Sequence, residues 1–445
     1  MLQQNLIDNS LSDVHETVDT TKPRKGIKRF LAYIGPAYLV SVGYMDPGNW
    51  ATDLQGGAQF GYKLIWVLLM SNLMALLLQG LSARLGIVRR RDLAQANRET
   101  YPPLVNFCLY VMAEIAIAAC DLAEVLGMAL GIHLLTGLPL IWGVGITVLD
   151  TFLLLWLQRF GIRKLEAFII ALVLVIGVSF LIEIFLVKPV LADVMTGFIP
   201  TKLNKEALYI AVGIIGATVM PHNLYLHSAL VQTRKIGNDK ASIKKAIKYN
   251  LIDSTIALNA AFFVNAAILI LAASAFFATG NTGVAKIEDA HKLLAPLLGS
   301  KMAPILFAVA LIAAGQSSTV TGTLAGQIVM EGYLKIRINP LLRRLITRLI
   351  AIIPAVLVIL IYGDSKVDAL LVFSQVILSV QLGFAVIPLI HFVSDKKEMG
   401  EFAIKPLTKI AAWLVAGILI YLNVNNLVVQ GIEIFKSPGM LGWKT

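Results

Sequence analysis

The chain has 445 residues, of which 57% are hydrophobic and only 15% charged, and its mean hydropathy is +0.77. Soluble domains carry about 25% charged residues, so a cytosolic enzyme is excluded and a multi-span membrane protein is expected. The net charge of +11 raises nucleic-acid binding as an alternative, which only the placement of the basic residues can decide.

The first 29 residues are polar and end in Lys22, Arg24, Lys25, Lys28 and Arg29, with no short apolar core followed by small residues, so they read as a cytoplasmic tail rather than a signal peptide. Apolar runs of helical length follow near 30-57, 64-83, 104-132, 139-158, 166-187, 206-233, 250-278, 302-330, 345-362, 367-392 and 406-425, which makes eleven spans. Residues 426-445 form a tail on the other side. With the N-terminus inside, 28 of the 38 lysines and arginines fall in the cytoplasmic segments. An omitted span would reverse every later loop, so this bias supports the count, a cytoplasmic N-terminus and an external C-terminus. It also accounts for the basic excess without nucleic acid. Cys108 and Cys120 lie twelve residues apart in one span, roughly 18 Å along a helix, too far to bridge.

The acids do not follow the loops. Asp46, Glu114, Asp121, Glu124 and Asp150 lie inside apolar spans. An ionised carboxylate at a helix centre costs about 2.5 to 3.5 kcal/mol on insertion scales. No lysine or arginine is expected within the membrane to offset it, with Arg343, Arg344 and Arg348 snorkelling from the inner end of the ninth span. The countercharge is then a proton or a transported cation. Asp150, alone on its helix, reads equally well as a protonated structural acid. Glu114, Asp121 and Glu124, spaced by 7 and 3, share one face of the third span, an arrangement that suits a proton relay or polar packing against a wet vestibule.

Two spans cannot be continuous helices. The first carries Asp46-Pro47-Gly48-Asn49 and the sixth Met220-Pro221-His222, with the prolines 174 residues apart, each in the first span of a five-span set. Paired interruptions point to an inverted-repeat transporter with a midplane site. Spans 1 to 5 (30-187) and 6 to 10 (206-392) form the repeats, with the eleventh added. Asp46 offers a carboxylate, Asn49 an amide oxygen, Ala217 a backbone carbonyl and Met220 a thioether. Soft sulfur added to oxygen donors favours Mn or Fe over Mg or Ca.

The two motifs, with Asn223-Leu-Tyr-Leu-His-Ser after the second, resemble the signature of the Nramp family of proton-coupled divalent metal transporters, bacterial manganese-transport type. The resemblance covers the chain from about Gly35 to the eleventh span. It implies a LeuT-like fold, metal held by Asp46, Asn49, Met220 and the Ala217 carbonyl, and Gln375 as an extra ligand in an occluded state. It also agrees with a proton route through Asp121 and Glu124. Gly383 departs from the family pattern, which more often has proline after Gln381-Leu382.

His222 and His227 follow the second break, and either titrates near neutral pH when exposed. A proton-linked or gating role fits them better than a place among the metal ligands, although each also reads as a hydrogen-bonded structural residue. Asn259 and Asn265 in the seventh span serve either the permeation path or interhelical bonds. No phosphate loop, nucleophile with its base, or bound cofactor is expected. The reading is an importer in the bacterial plasma membrane that moves Mn or Fe with protons by alternating access. A sodium-coupled amino-acid carrier and a gated cation channel fit the donor set and the broken spans less well.

Overall fold

In a computed structural model of the chain, the described residues are 15–21 and 32–436, apart from most of 151–159 and from 283–285, 300–301 and 337. The basic end of the N-terminal tail (Lys22, Arg24, Lys25, Lys28 and Arg29), the last nine residues and much of the later half of the fourth span lie outside them.

The described chain is almost entirely helical. Its helices are α1 (Pro36–Gly43), α2 (Pro47–Phe60), α3 (Ile65–Arg89), α4 (Leu93–Thr100), α5 (Pro103–Thr136), α6 (Leu140–Ile146) and α7 (Ile162–Val187). After a connecting segment come α8 (Lys205–Val219), α9 (Pro221–Leu230), α10 (Lys240–Ala272), α11 (Ile287–Leu298), α12 (Met302–Leu334), α13 (Pro340–Tyr362), α14 (Val367–Ser394) and α15 (Pro406–Lys436). Among the described residues nine stretches are long and apolar enough to cross a membrane, matching expected spans 2, 3 and 5 to 11. The first span is divided between α1 and α2, and the fourth is described as a short apolar helix over Leu140–Leu149.

The starts of these helices follow from local chemistry. Asp46, Asn204 and Asp239 each accept a backbone N–H from the first turn of α2, α8 and α10, and Asp92 with Gln95 makes a reciprocal capping box on α4. Proline occupies the first position of α1, α2, α5 and α9, where its missing N–H costs nothing. α5 and the α8–α9 pair are enclosed by other helices, whereas α7, α13 and α15 turn most of their apolar surface outward. α5 lies along α12, α14 packs on both α5 and α8, and α10 packs on α2 and α3. The two broken spans thus stand at the centre.

One expectation is overturned here. Basic side chains do enter the bundle. Because α13 begins at Pro340, Arg343 and Arg348 lie inside the helix and turn inward instead of snorkelling. Arg343 pairs with Glu114 at 2.8 Å. Arg348, fully buried, pairs with Asp150, lies 3.8 Å from Glu124 and donates to Thr319 at 3.2 Å. Breaking such a buried pair leaves an uncompensated charge, which is why these long side chains fold inward together. Asp150 is therefore part of an ion pair and not an isolated acid.

Beneath α1 a second polar cluster closes the bundle. Arg234 donates to Glu166 at 2.7 Å and Arg163 to the same carboxylate at 3.1 Å, while Asp253 accepts the backbone N–H groups of Gly35 and Ala37 at 3.2 and 3.1 Å. A two-residue strand, β1 (Val18–Asp19), pairs in parallel with β2 (Arg234–Lys235) over this cluster.

Candidate metal site

Each break is built by its proline. In an α-helix the carbonyl of residue i accepts the N–H of residue i+4, and Pro47 and Pro221 have none to give. The Ala217 carbonyl, four residues earlier, is thereby released from its helix, whereas the Gly43 carbonyl takes the Asp46 N–H at 3.3 Å in place of the missing one. Between the half-helices the chain turns through Tyr44–Asp46 in one span and through Met220, with φ +33°, in the other. Such a φ is rare for a residue with a side chain and fixes Met220 at the turn.

The two breaks meet. Asn49 donates its side-chain Nδ2 to Asp46 Oδ1 at 2.7 Å and to the freed Ala217 carbonyl at 3.1 Å, and lies 3.4 Å from the Gly43 carbonyl. Asp46 Oδ1 also accepts the Asn49 backbone N–H at 2.7 Å, while Asp46 Oδ2 is buried with no hydrogen-bond partner among the described residues. A Cβ built on Gly43 would lie 3.1 Å from Met220 Sδ, which places the thioether against the first break. Asn223 Nδ2 reaches the same sulfur at 3.5 Å. On its other side Met220 packs with Ala116, Ala119 and Cys120 of α5 and Leu378 of α14.

Gln375 completes the ring from α14. A Cβ on Gly48 would fall 1.8 Å from Gln375 Nε2, and one on Gly216 would fall 2.1 Å from the Gln375 backbone oxygen. Two glycines, one in each broken span, let α14 approach both breaks. Gln375 donates to Ser374 at 3.0 Å, and its Oε1 has no partner among the described residues. The structure thus brings together all five residues expected at the site, Asp46, Asn49, Ala217, Met220 and Gln375. It differs in one detail: the Asn49 amide presents its nitrogen, not its oxygen, to Asp46 and Ala217. Among the described residues no three His, Cys, Asp or Glu side chains converge, so the set is one carboxylate with neutral oxygen and sulfur donors.

A family profile described as "Natural resistance-associated macrophage protein-like" matches residues 37–429. The chain is 57% identical over 423 residues to a divalent metal cation transporter, MntH, of Bradyrhizobium diazoefficiens, covering 94% of each chain. It is 54% identical to the MntH of Nostoc sp., covering 93% of this chain and 94% of that one. The chain belongs to the Nramp family. Among solved structures it is similar to a manganese transporter of Eremococcus coleocola in complex with an aromatic bis-isothiourea compound, with 39% identity, a TM-score of 0.89 and coverage of 98% of this chain and 94% of that one. The nucleobase-cation symporter Mhp1, at 12% identity and TM-score 0.59 over 91% of this chain, shares the fold. This Nramp chain is accordingly an all-helical, multi-pass membrane protein of LeuT-like fold, a divalent metal cation transporter and not an enzyme.

The acids of α5 in this Nramp protein are placed unequally. Asp121 and Glu124 are buried beside Gly322 of α12, where a Cβ would lie 3.0 Å from Glu124 Oε1 and 3.4 Å from Asp121 Oδ1. Ser318 and Thr319 donate to the two oxygens of Glu124 at 2.9 and 3.0 Å. Glu114 sits further along, partly exposed and paired to Arg343. The countercharge of Glu114, Glu124 and Asp150 is therefore arginine, contrary to the expectation of a proton or cation. Among the described residues no arginine or lysine pairs with Asp46.

The histidines separate as well. His222, buried in the first turn of α9, has no hydrogen-bond partner on either ring nitrogen among the described residues. His227 is held by Gln79 at 2.9 Å and Asn250 at 3.2 Å, a fully bonded buried residue. Gln79 also donates to the Tyr44 hydroxyl at 2.7 Å, which ties His227 to the first break. Sequence reasoning passed over several buried acids, among them Asp53 on α2, Glu183 on α7 and Asp253 on α10. Asp53 was legible, seven residues beyond Asp46 on the same helix face. Asn265 resolves toward the site: it donates to Asn49 Oδ1 at 3.2 Å, whereas Asn259 bonds Asn72 at 3.0 Å.

Proposed function

We propose that this protein imports manganese, with ferrous iron as a second cargo, together with protons, by alternating access of a site between the two broken spans. The observation that carries this reading is the convergence of a single unpaired carboxylate oxygen, the Ala217 carbonyl released by Pro221 and one thioether. A dication supplies the countercharge that the bundle gives Glu114, Glu124 and Asp150 but withholds from Asp46. Sulfur beside oxygen favours Mn or Fe over Ca and Mg, because hard ions gain little from a thioether. In the mechanism we infer, Asp46 draws the cation, the Ala217 carbonyl and Asn49 replace part of its water shell, Met220 selects, and Gln375 closes over it from α14. Asp121 carries the proton, away from the cation, with Arg348 and Arg343 holding the neighbouring acids Glu124 and Glu114 in register. The N-terminus faces the cytoplasm of a bacterial plasma membrane and the C-terminus the outside.

The amino-acid carrier reading fails on charge, since a substrate carboxylate would meet the carboxylate of Asp46, which already caps the N-terminus of α2. Reconstituted vesicles test the metal reading. Asp46→Ala removes the formal charge of the ligand set and is expected to abolish Mn uptake in a protein that still folds. Near-parental Mn flux would contradict it.

A further inference from the structure

Asn265 on α10 is fully buried beside the site, outside the proposed ligand set. Its Nδ2 donates to the Tyr44 carbonyl at 2.7 Å and to Asn49 Oδ1 at 3.2 Å, and its Oδ1 has no hydrogen-bond partner among the described residues. Asn49 in turn aims its NH2 at Asp46 and Ala217. An NH2 group has no lone pair for a metal, so to ligate a cation through Oδ1 the Asn49 amide must reverse.

We propose that Asn265 is a positioning residue whose amide sets which atom of Asn49 faces the cation, and that cation binding reverses both amides and releases the Tyr44 carbonyl. The inference rests on the site proposed above. Once Asn49 has turned, its NH2 meets the NH2 of Asn265, two donors with no acceptor between them. The clash is relieved when Asn265 presents its own Oδ1, the atom left unpartnered in the present arrangement. That rotation sets Asn265 Oδ1 against the Tyr44 carbonyl, two acceptors at hydrogen-bonding distance, so the pair must separate. Tyr44 is the first residue after α1, inside the break. Occupancy of the site is thereby felt by the backbone that joins the two halves of span 1.

The hydrogen-bond count gives an unusual sign. Asn265 makes two bonds with Asn49 in its present orientation and one with Asn49 reversed, so a residue that can make neither favours the reversed, ligating form by one bond. Asn265→Leu is expected to tighten Mn binding about fivefold, the worth of one net hydrogen bond. In an Asn49→Ala background, where there is no amide to reverse, the same substitution is expected to leave Mn affinity unchanged. Titration calorimetry with Mn on the full chain in nanodiscs reads both. Weaker or unchanged binding by Asn265→Leu, or an equal shift in both backgrounds, overturns the proposal. A crystal structure of the unmutated protein with Mn bound provides a check that needs no variant. Mn at Asp46 with the Asn265 amide more than about 3.5 Å from the Tyr44 carbonyl supports the inference. Mn at Asp46 with that contact intact overturns it and leaves the site standing, whereas Mn bound elsewhere overturns the site and the inference together.

Discussion

Gly216 and Gly48 both admit α14 to the site, yet an added methyl group meets different obstacles at the two positions. At Gly216 the Cβ would lie 2.1 Å from the Gln375 backbone oxygen, 2.7 Å from the Ser379 nitrogen and 2.8 Å from the Ser379 Cβ. Ordinary carbon contacts are about 3.5 to 4.0 Å, so the backbone of α14 must retreat from α8 by roughly 1 Å or more. At Gly48 the obstacles are Nε2, Cδ and Cγ of one side chain, Gln375, at 1.8, 2.3 and 2.9 Å, and a side chain can rotate. Overpacking costs about 1 to 3 kcal/mol, and Gly216→Ala belongs at the upper end because no rotamer relieves it, Gly48→Ala near the lower. If the strain falls on the arrangement in which α14 closes on both breaks, the population of that arrangement drops about 100-fold for Gly216→Ala and about fivefold for Gly48→Ala. Gly48→Ala also turns Gln375 away from the cation. Initial rates of Mn uptake into vesicles, with thermal unfolding in detergent alongside, measure both effects. Gly216→Ala is expected to lose most uptake and some stability, and Gly48→Ala to keep its stability while binding Mn more weakly. Parental uptake and unfolding temperature in Gly216→Ala would refute the close approach of α14 and with it the role of Gln375.

Met220→Ala leaves only oxygen donors, so Mn uptake is expected to persist at lower affinity while excess Ca begins to compete. Rejection of Ca as complete as the parent's would make Met220 a packing residue. Asp150→Ala takes from Arg348 its nearest carboxylate and is expected to cost about 3 kcal/mol in denaturant unfolding, whereas Asp150→Ala combined with Arg348→Met costs clearly less. Equal losses would mean that the pair does not act as a unit. Asp121→Asn is expected to reduce Mn-stimulated acidification of the vesicle lumen more than it reduces Mn binding; equal losses would return Asp121 to a structural role.

Proline made the site legible from sequence. Pro47 and Pro221 must break their helices wherever those helices pack, so the two breaks and the free carbonyl at Ala217 were legible without coordinates, whereas Gly43 went unread and Gln375 came only through the family resemblance. Most spans were legible for a similar reason, since hydropathy is a local property, and nine of the eleven expected are matched by long apolar helices among the described residues. The inward turn of Arg343 and Arg348 was not. Both lie where a span boundary is uncertain by a turn, and a guanidinium on its long stem can reach either the headgroups or a buried carboxylate several residues deeper. Nothing in the periodicity of α13 says which, because the partners Glu114, Glu124 and Asp150 come from other helices. Asp253 escaped notice because its role, capping the start of α1, depends on a contact more than 200 residues away. The orientation of the Asn49 amide is likewise a tertiary fact, decided by Asn265 and Ala217.

The most direct test of the account is anomalous scattering from crystals soaked in Mn. The account predicts a single strong peak between residues 46–49 and 217–220, within coordinating distance of Asp46, the Ala217 carbonyl and Met220 Sδ. Mn density beside the α5 acids and Arg348, with none between the two breaks, would contradict it.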